Sequence, residues 1–279
     1  MDVGLLMLVG GAAAGVFGSL LGLGGGVLIV PLLTLGFGLD LRAAVGVSLV
    51  CVIMTSSAAA GVYLERHVAN LRLGMTLELF TAIGALVGGL VAFAVDERLL
   101  SVLFAGLLAY VAFTMARPRP VAATSTDVVT AMPPGPEDDA PPGRAELVLA
   151  GLSGDDYVVR NLGRGVVGST GAGVASALLG IGGGIIKVPL MHLAMGVPLR
   201  VATATSNLMI GITAAASAVI YLFRGEIDPY VAGPTAIGVF VGATIGSRVA
   251  HRIDLRYLRL LFVIVLTYTS IQMLLRAIG

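Results

Sequence analysis

Tryptophan is absent from the 279 residues, cysteine occurs once, at Cys51, and histidine three times. A single cysteine excludes an intrachain disulfide. Three scattered histidines and one cysteine make no metal site, and no cofactor motif accompanies them. Without tryptophan, tyrosine and arginine must supply the interface anchors that membrane proteins favour. Charge is scarce as well: 12% of residues are Asp, Glu, Lys or Arg, against about 25% in an ordinary soluble domain. The net charge of +1 gives no electrostatic footprint for a nucleic-acid partner. No nucleophile sits in a recognisable set with a base, so an enzyme is not expected.

What fills the chain instead is apolar: 57% of residues are hydrophobic. Apolar stretches near 20 residues recur from end to end, the signature of an all-α, multi-pass membrane protein. The start, Met1-Asp2-Val3, lacks a basic n-region, and the first apolar run reads as a retained segment rather than a signal peptide. That run, Val3 to Phe37, would make a helix roughly 50 Å long, against a hydrocarbon core of roughly 30 Å. It must break. Gly22-Leu23-Gly24-Gly25-Gly26 is the place, because each glycine costs a helix about 1 kcal/mol relative to alanine. Helices are then expected over about 3–21, 27–37, 41–64, 73–95 and 99–115.

The pattern begins again later, with Gly180-Ile181-Gly182-Gly183-Gly184 and Ile185-Ile186-Lys187-Val188-Pro189. Adding 158 to a number in the first half gives its partner in the second. Over residues 15–50 this register yields 17 identities in 36. Pro31 matches Pro189, Arg42 matches Arg200 and Ser48 matches Ser206. The polar matches in one fixed register mark an internal duplication. The first membrane repeat is placed at 1–116 and the second at 161–279, with helices near 199–223, 230–250 and 255–278. Each repeat has four segments and opens with a glycine-broken or re-entrant helix. Residues 117–160 hold seven of the twelve prolines and the run Glu137-Asp138-Asp139, and read as a flexible linker outside the bilayer. Its last part, 145–159, is apolar enough to lie against the protein or the membrane surface.

Loop charge bears on whether the repeats are parallel or inverted. Arg66, His67 and Arg72 follow the second helix; the matching loop has Arg224 with Glu226 and Asp228. Asp96, Glu97 and Arg98 follow the third helix; the matching region has Arg248, His251, Arg252, Arg256 and Arg259. The basic member of each pair alternates between halves, which favours inversion. Against it, the first piece of each broken segment is long enough to cross alone.

A break at membrane depth frees backbone polar groups, which are tolerated only inside protein or beside a watery cavity. Two half-helices starting after Gly26 and Gly184 would aim their N–H groups and partial positive charge at an anion. The candidate binding residues are therefore Gly24, Gly25, Gly26, Gly182, Gly183 and Gly184. The competing reading is that these glycines only permit close helix packing. Lys187 stands where the first half has Ile29. It reads either as a cationic contact for the anion or as a snorkelling residue or ion-pair partner of Glu78. Ser48, Thr205, Ser206 and Asn207 place hydroxyls and an amide near helix starts, for the anion or for helix–helix hydrogen bonds. Glu78, opposite Ala236, is a candidate for carrying a proton in a coupled cycle, or an interfacial residue at a helix start. Arg42 and Arg200 read as interface anchors and His192 as a core or interfacial histidine.

The duplicated Gly-x-Gly-Gly-Gly with its Val-Pro, together with Met195-Gly196-Val197-Pro198-Leu199-Arg200-Val201-Ala202 running into Thr205-Ser206-Asn207, resembles the sulfite exporter TauE/SafE family of membrane permeases. The resemblance covers both halves and implies transport of sulfite, sulfoacetate or another organosulfonate. The expectation is a secondary transporter with the anion held at the midplane between the two breaks. Its partners would be that anion, the bilayer and a possible second copy in a homodimer. The alternatives are a passive channel or a permease for another small anion. A scaffold or receptor would need an extramembrane domain that the linker does not supply.

Overall fold

The computed structural model describes residues 3–21, 25–65, 69–116, 152–153, 157–249 and 255–278. Gly24 of the expected site, Arg66 and His67, His251 and Arg252, and most of the expected linker lie outside them. The described elements are helical. Helix α1 is Val3–Leu21, α2 Gly26–Pro31, α3 Leu41–Glu65, α4 Leu71–Ala94 and α5 Glu97–Ala116. The second half gives α6 Leu162–Leu179, α7 Gly184–Pro189, α8 Leu199–Phe223, α9 Pro229–Val249 and α10 Leu255–Ile278. Seven of these are long and apolar enough to cross a membrane. Met75, Leu79, Ile83 and Leu90 lie exposed along α4, an apolar stripe that suits hydrocarbon as its solvent.

The helix ends follow from local chemistry. Asn70 caps α4 by accepting from the Leu73 N–H at 3.0 Å, so the helix starts two residues earlier than its apolar pattern suggests. Both short helices contain a proline at their last position and continue as a wider π-turn, over Leu32–Gly36 and Leu190–Ala194. Proline has no N–H to give and its ring presses on the preceding turn, so the register beyond it widens. Each then stops at a left-handed glycine, Gly38 or Gly196, with hydrogen bonds reaching six residues back, from Leu39 N–H to Leu33 O and from Val197 N–H to Met191 O, one residue wider than an α-helical glycine stop because the last turn is a π-turn.

The long helices pair between halves. Helix α1 runs beside α9, with Gly4 at Pro234, Gly15 at Val239 and Gly246 at Val16, so the two are parallel. Helix α4 runs parallel to α6 in the same way, with Gly84 at Thr170 and Gly88 at Val174. A Cβ at Gly84, Gly173, Gly238 or Gly242 would land on a carbonyl of the facing helix. These small-residue seams let backbones approach closely, the packing device of membrane helices. Helices α3 and α8 cross at the centre. Ser56 meets Asn207 and Gly211 while Gly46 meets Tyr221, so the pair is antiparallel. Helices α5 and α10 pair at the side, where the Ser270 hydroxyl donates to Ala105 O at 2.8 Å.

Each short helix folds back along the long one before it. Gly25 lies at the level of Ala14 and Leu32 at the level of Gly10; Gly183 lies at Ala172 and Leu190 at Gly168. The broken segments are thus hairpins. Just before α6, Leu152 and Val159 are buried with Leu73, Leu77, Met191 and Met195, and Arg160 N–H bonds to Met195 O.

Gly242→Leu should lower the unfolding midpoint of the detergent-purified protein sharply, since overpacking costs about 1–3 kcal/mol or more. Gly106→Leu, on α5 with open space around it, should stay near wild type. Equal midpoints for the two variants would contradict the α1–α9 seam.

Candidate functional site

The two glycine breaks meet at the centre of the fold. Gly25, Gly180, Gly182 and Gly183 have φ between 68° and 76°, the left-handed region where a side chain is strained. A Cβ on Gly26 would lie 2.5 Å from the Gly180 carbonyl oxygen, so the first break touches the second through bare backbone. The Ser48 hydroxyl, fully buried, donates to Gly180 O at 2.8 Å and reaches Gly26 O at 3.3 Å. One side chain of α3 therefore holds both breaks together.

Ser206, its equivalent on α8, behaves differently. Its hydroxyl is fully buried beside Gly184 and makes no hydrogen bond. Ser176, in the last turn of α6, is likewise buried and unpartnered. Thr205 lies away from the breaks: its hydroxyl accepts from Asn70 N–H at 2.9 Å and so ties α8 to the start of α4. Asn207 contributes its backbone carbonyl, which accepts from the Ser56 hydroxyl at 2.6 Å.

Lys187 is 1% exposed. Its ammonium donates to Glu78 Oε2 at 2.9 Å and to Thr213 Oγ1 at 2.5 Å, while the Thr213 hydroxyl donates to Glu78 Oε1 at 2.6 Å. Helical side chains lean toward the helix N-terminus, so the Lys187 stem lies back over its own break. Its Cε is 3.5 Å from where a Cβ on Gly183 would be. The pair joins α7 of the second half to α4 of the first. Glu78 is buried in this cluster, where Lys187 and Thr213 supply the partners that a buried carboxylate needs. The positions that the 158-residue register equates with Lys187 and Glu78 are Ile29 and Ala236; only Thr213, opposite Thr55, has a polar counterpart.

Arg42 serves the scaffold. It donates to Val95 O at 2.8 Å and sits over the Phe93 ring, which also packs on Tyr221 and carries Arg224 on a face. His192 Nδ1 is 2.9 Å from Val197 O, at the end of the π-turn. Sequence reasoning missed Thr213, Ser176 and Asn70. Thr213 left a signal, the Thr55 match in fixed register. Ser176, opposite Gly18, left none.

A family model described as sulfite exporter TauE/SafE matches residues 7–273. The chain belongs to the TauE/SafE family. The probable membrane transporter protein YunE of Bacillus subtilis (strain 168) is 25% identical over 281 residues, covering 97% of each chain. The probable membrane transporter protein MJ0441 of Methanocaldococcus jannaschii is 26% identical over 285 residues, 97% of this chain and 95% of that one. No solved structure matches. This TauE/SafE protein is a multi-pass membrane transporter, not an enzyme, and its two glycine breaks lie within the span that the family model covers.

Removing one partner of the buried pair strands the other charge. Lys187→Met or Glu78→Leu alone should cost about 3–5 kcal/mol of stability, and the double variant should recover most of it. Unfolding midpoints of the three variants check this; additive losses would mean the two charges are not coupled.

Proposed function

We propose that this transporter moves a small sulfur-containing anion, sulfite or an organosulfonate such as sulfoacetate, and holds it where the two glycine breaks meet. The observation that carries the reading is the Lys187 ammonium, buried beside the second break; among the described residues Glu78, its partner, is the one other buried charge. An anion roughly 4 Å from that ammonium would gain about 4 kcal/mol at an effective dielectric of 20 once Glu78 is protonated, and less against the Glu78 carboxylate. The backbone N–H groups of the breaks add donors that need no deprotonation. The sulfur class rests on the family description; the anionic class rests on the charge and the breaks.

The same cluster suggests how transport is driven. Lys187 is neutralised by Glu78 while the site is empty. An anion that takes the ammonium leaves a carboxylate beside like charge, and a proton on Glu78 removes that conflict. Anion and proton would then cross together. In proteoliposomes, uptake of sulfite or sulfoacetate should follow an imposed proton gradient. It should be lost in the double variant Lys187→Met/Glu78→Leu, which keeps the fold. Flux that ignores the gradient would favour a passive permease. Undiminished flux in the double variant would remove the cluster from the mechanism.

The antiparallel crossing of α3 and α8, which the 158-residue register equates, supports inverted repeats. So does the return of α2 and α7 along their long helices, which gives each half an odd number of passes. An inverted pair allows alternating access to one central site. Arg72 and Tyr230 are equivalent, exposed and near the starts of α4 and α9. Cysteines placed there should be labelled from opposite faces of the membrane, with Cys51 buried and silent. Labelling from one face would sink the inverted arrangement.

A further inference from the structure

We infer that the anion is held at the second glycine break alone, by the free N–H of Lys187 and the hydroxyls of Ser176 and Ser206, while Ser48 is a structural clasp. This rests on the anion-transport reading above and narrows its site. The repeats make the two breaks comparable position by position, and the comparison is uneven. At the first break the residues equivalent to Lys187 and Ser176 are Ile29 and Gly18, which offer no side-chain donor. The remaining equivalent, Ser48, already donates to a carbonyl of the glycine breaks.

The second break has donors to spare. An ammonium has three protons, and Glu78 and Thr213 engage two of those on Lys187. Ser176 and Ser206 are both fully buried without a partner. That is unusual for a helix hydroxyl, which has the carbonyl one turn back within reach. Thr34, Thr81 and Ser217 use that carbonyl here, at 2.9, 2.8 and 3.1 Å. A buried polar group left unsatisfied carries a cost that calls for a reason.

The three donors surround the same stretch of backbone. A Cβ at Gly183 would lie 3.5 Å from both Lys187 Cε and Ser176 Cβ, and one at Gly184 would lie 3.6 Å from Ser206 Oγ. Three donors beside one stretch of backbone equal in number the three oxygens of a sulfite ion or a sulfonate head group. A Glu78 carboxylate on the far side of Lys187 would repel that anion, so occupancy and the charge state of Glu78 are linked.

The test is isothermal titration of the purified full-length chain in detergent with sulfite and with sulfoacetate. Wild type, Ser176→Ala, Ser206→Ala and Ser48→Ala are compared, with unfolding midpoints alongside. Losing a hydrogen bond to a charged ligand should raise the Kd of Ser176→Ala and of Ser206→Ala about tenfold or more. Their midpoints should not fall, because each variant removes a hydroxyl that had no partner. Ser48→Ala should lower the midpoint and keep Kd within roughly threefold. Unchanged Kd in both Ser176→Ala and Ser206→Ala overturns the inference, and so does a Kd for Ser48→Ala raised as far as theirs. Either result leaves the transporter reading standing, because wild type still binds. A wild type that binds neither anion overturns the sulfur-anion reading and this site together.

Discussion

The constraint on which the structure depends is that a helix broken at membrane depth must hide its freed backbone groups in protein. Two such breaks would be costly apart. Here they lie against each other, Gly26 on Gly180, with Ser48 donating to the carbonyl at the contact. The crossing of α3 and α8 walls them in, and the two glycine seams, α1 with α9 and α4 with α6, bring the remaining long helices close around them. Each seam joins opposite halves, so neither half encloses its own break.

The charges are not repeated between positions that the 158-residue register equates. Lys187 and Glu78 come from opposite halves, and the equivalent positions are apolar. A buried pair of this kind contributes little net stability, since desolvation offsets most of the attraction, yet it is sensitive to whatever competes for either member. The scaffold therefore holds without depending strongly on the pair, and the pair responds to a new charge. Thr213 links the two, accepting from the ammonium and donating to the carboxylate.

Much of the fold was legible in the residues. Leu21 ends α1, Leu199 and Phe223 bound α8, and Leu255 starts α10, where the apolar runs placed those ends. The π-turns were not foreseen. Proline and apolar content announce a distorted helix but not which wider register will relieve it. The start of α4 was misplaced because the Asn70 cap is a polar signal outside the apolar pattern. The residue types gathered around the breaks were legible in kind: glycines, a lysine and hydroxyls near helix starts. Thr205 carried the same signal as Ser206, yet its hydroxyl meets the start of α4 instead, because neighbours on a helix point 100° apart.

By itself, the sequence determined the apolar spans, the places where two of them break, and the register in which residues 15–50 resemble 173–208. Those depend on hydrophobicity, glycine strain and local repetition, which act along the chain. Tertiary structure alone decided that Lys187 meets Glu78 across 109 residues, and that Ser48 is engaged while Ser206 is not. The two serines share residue type and register, so no local rule separates them. What separates them is which backbone carbonyl packing brings within hydrogen-bond reach.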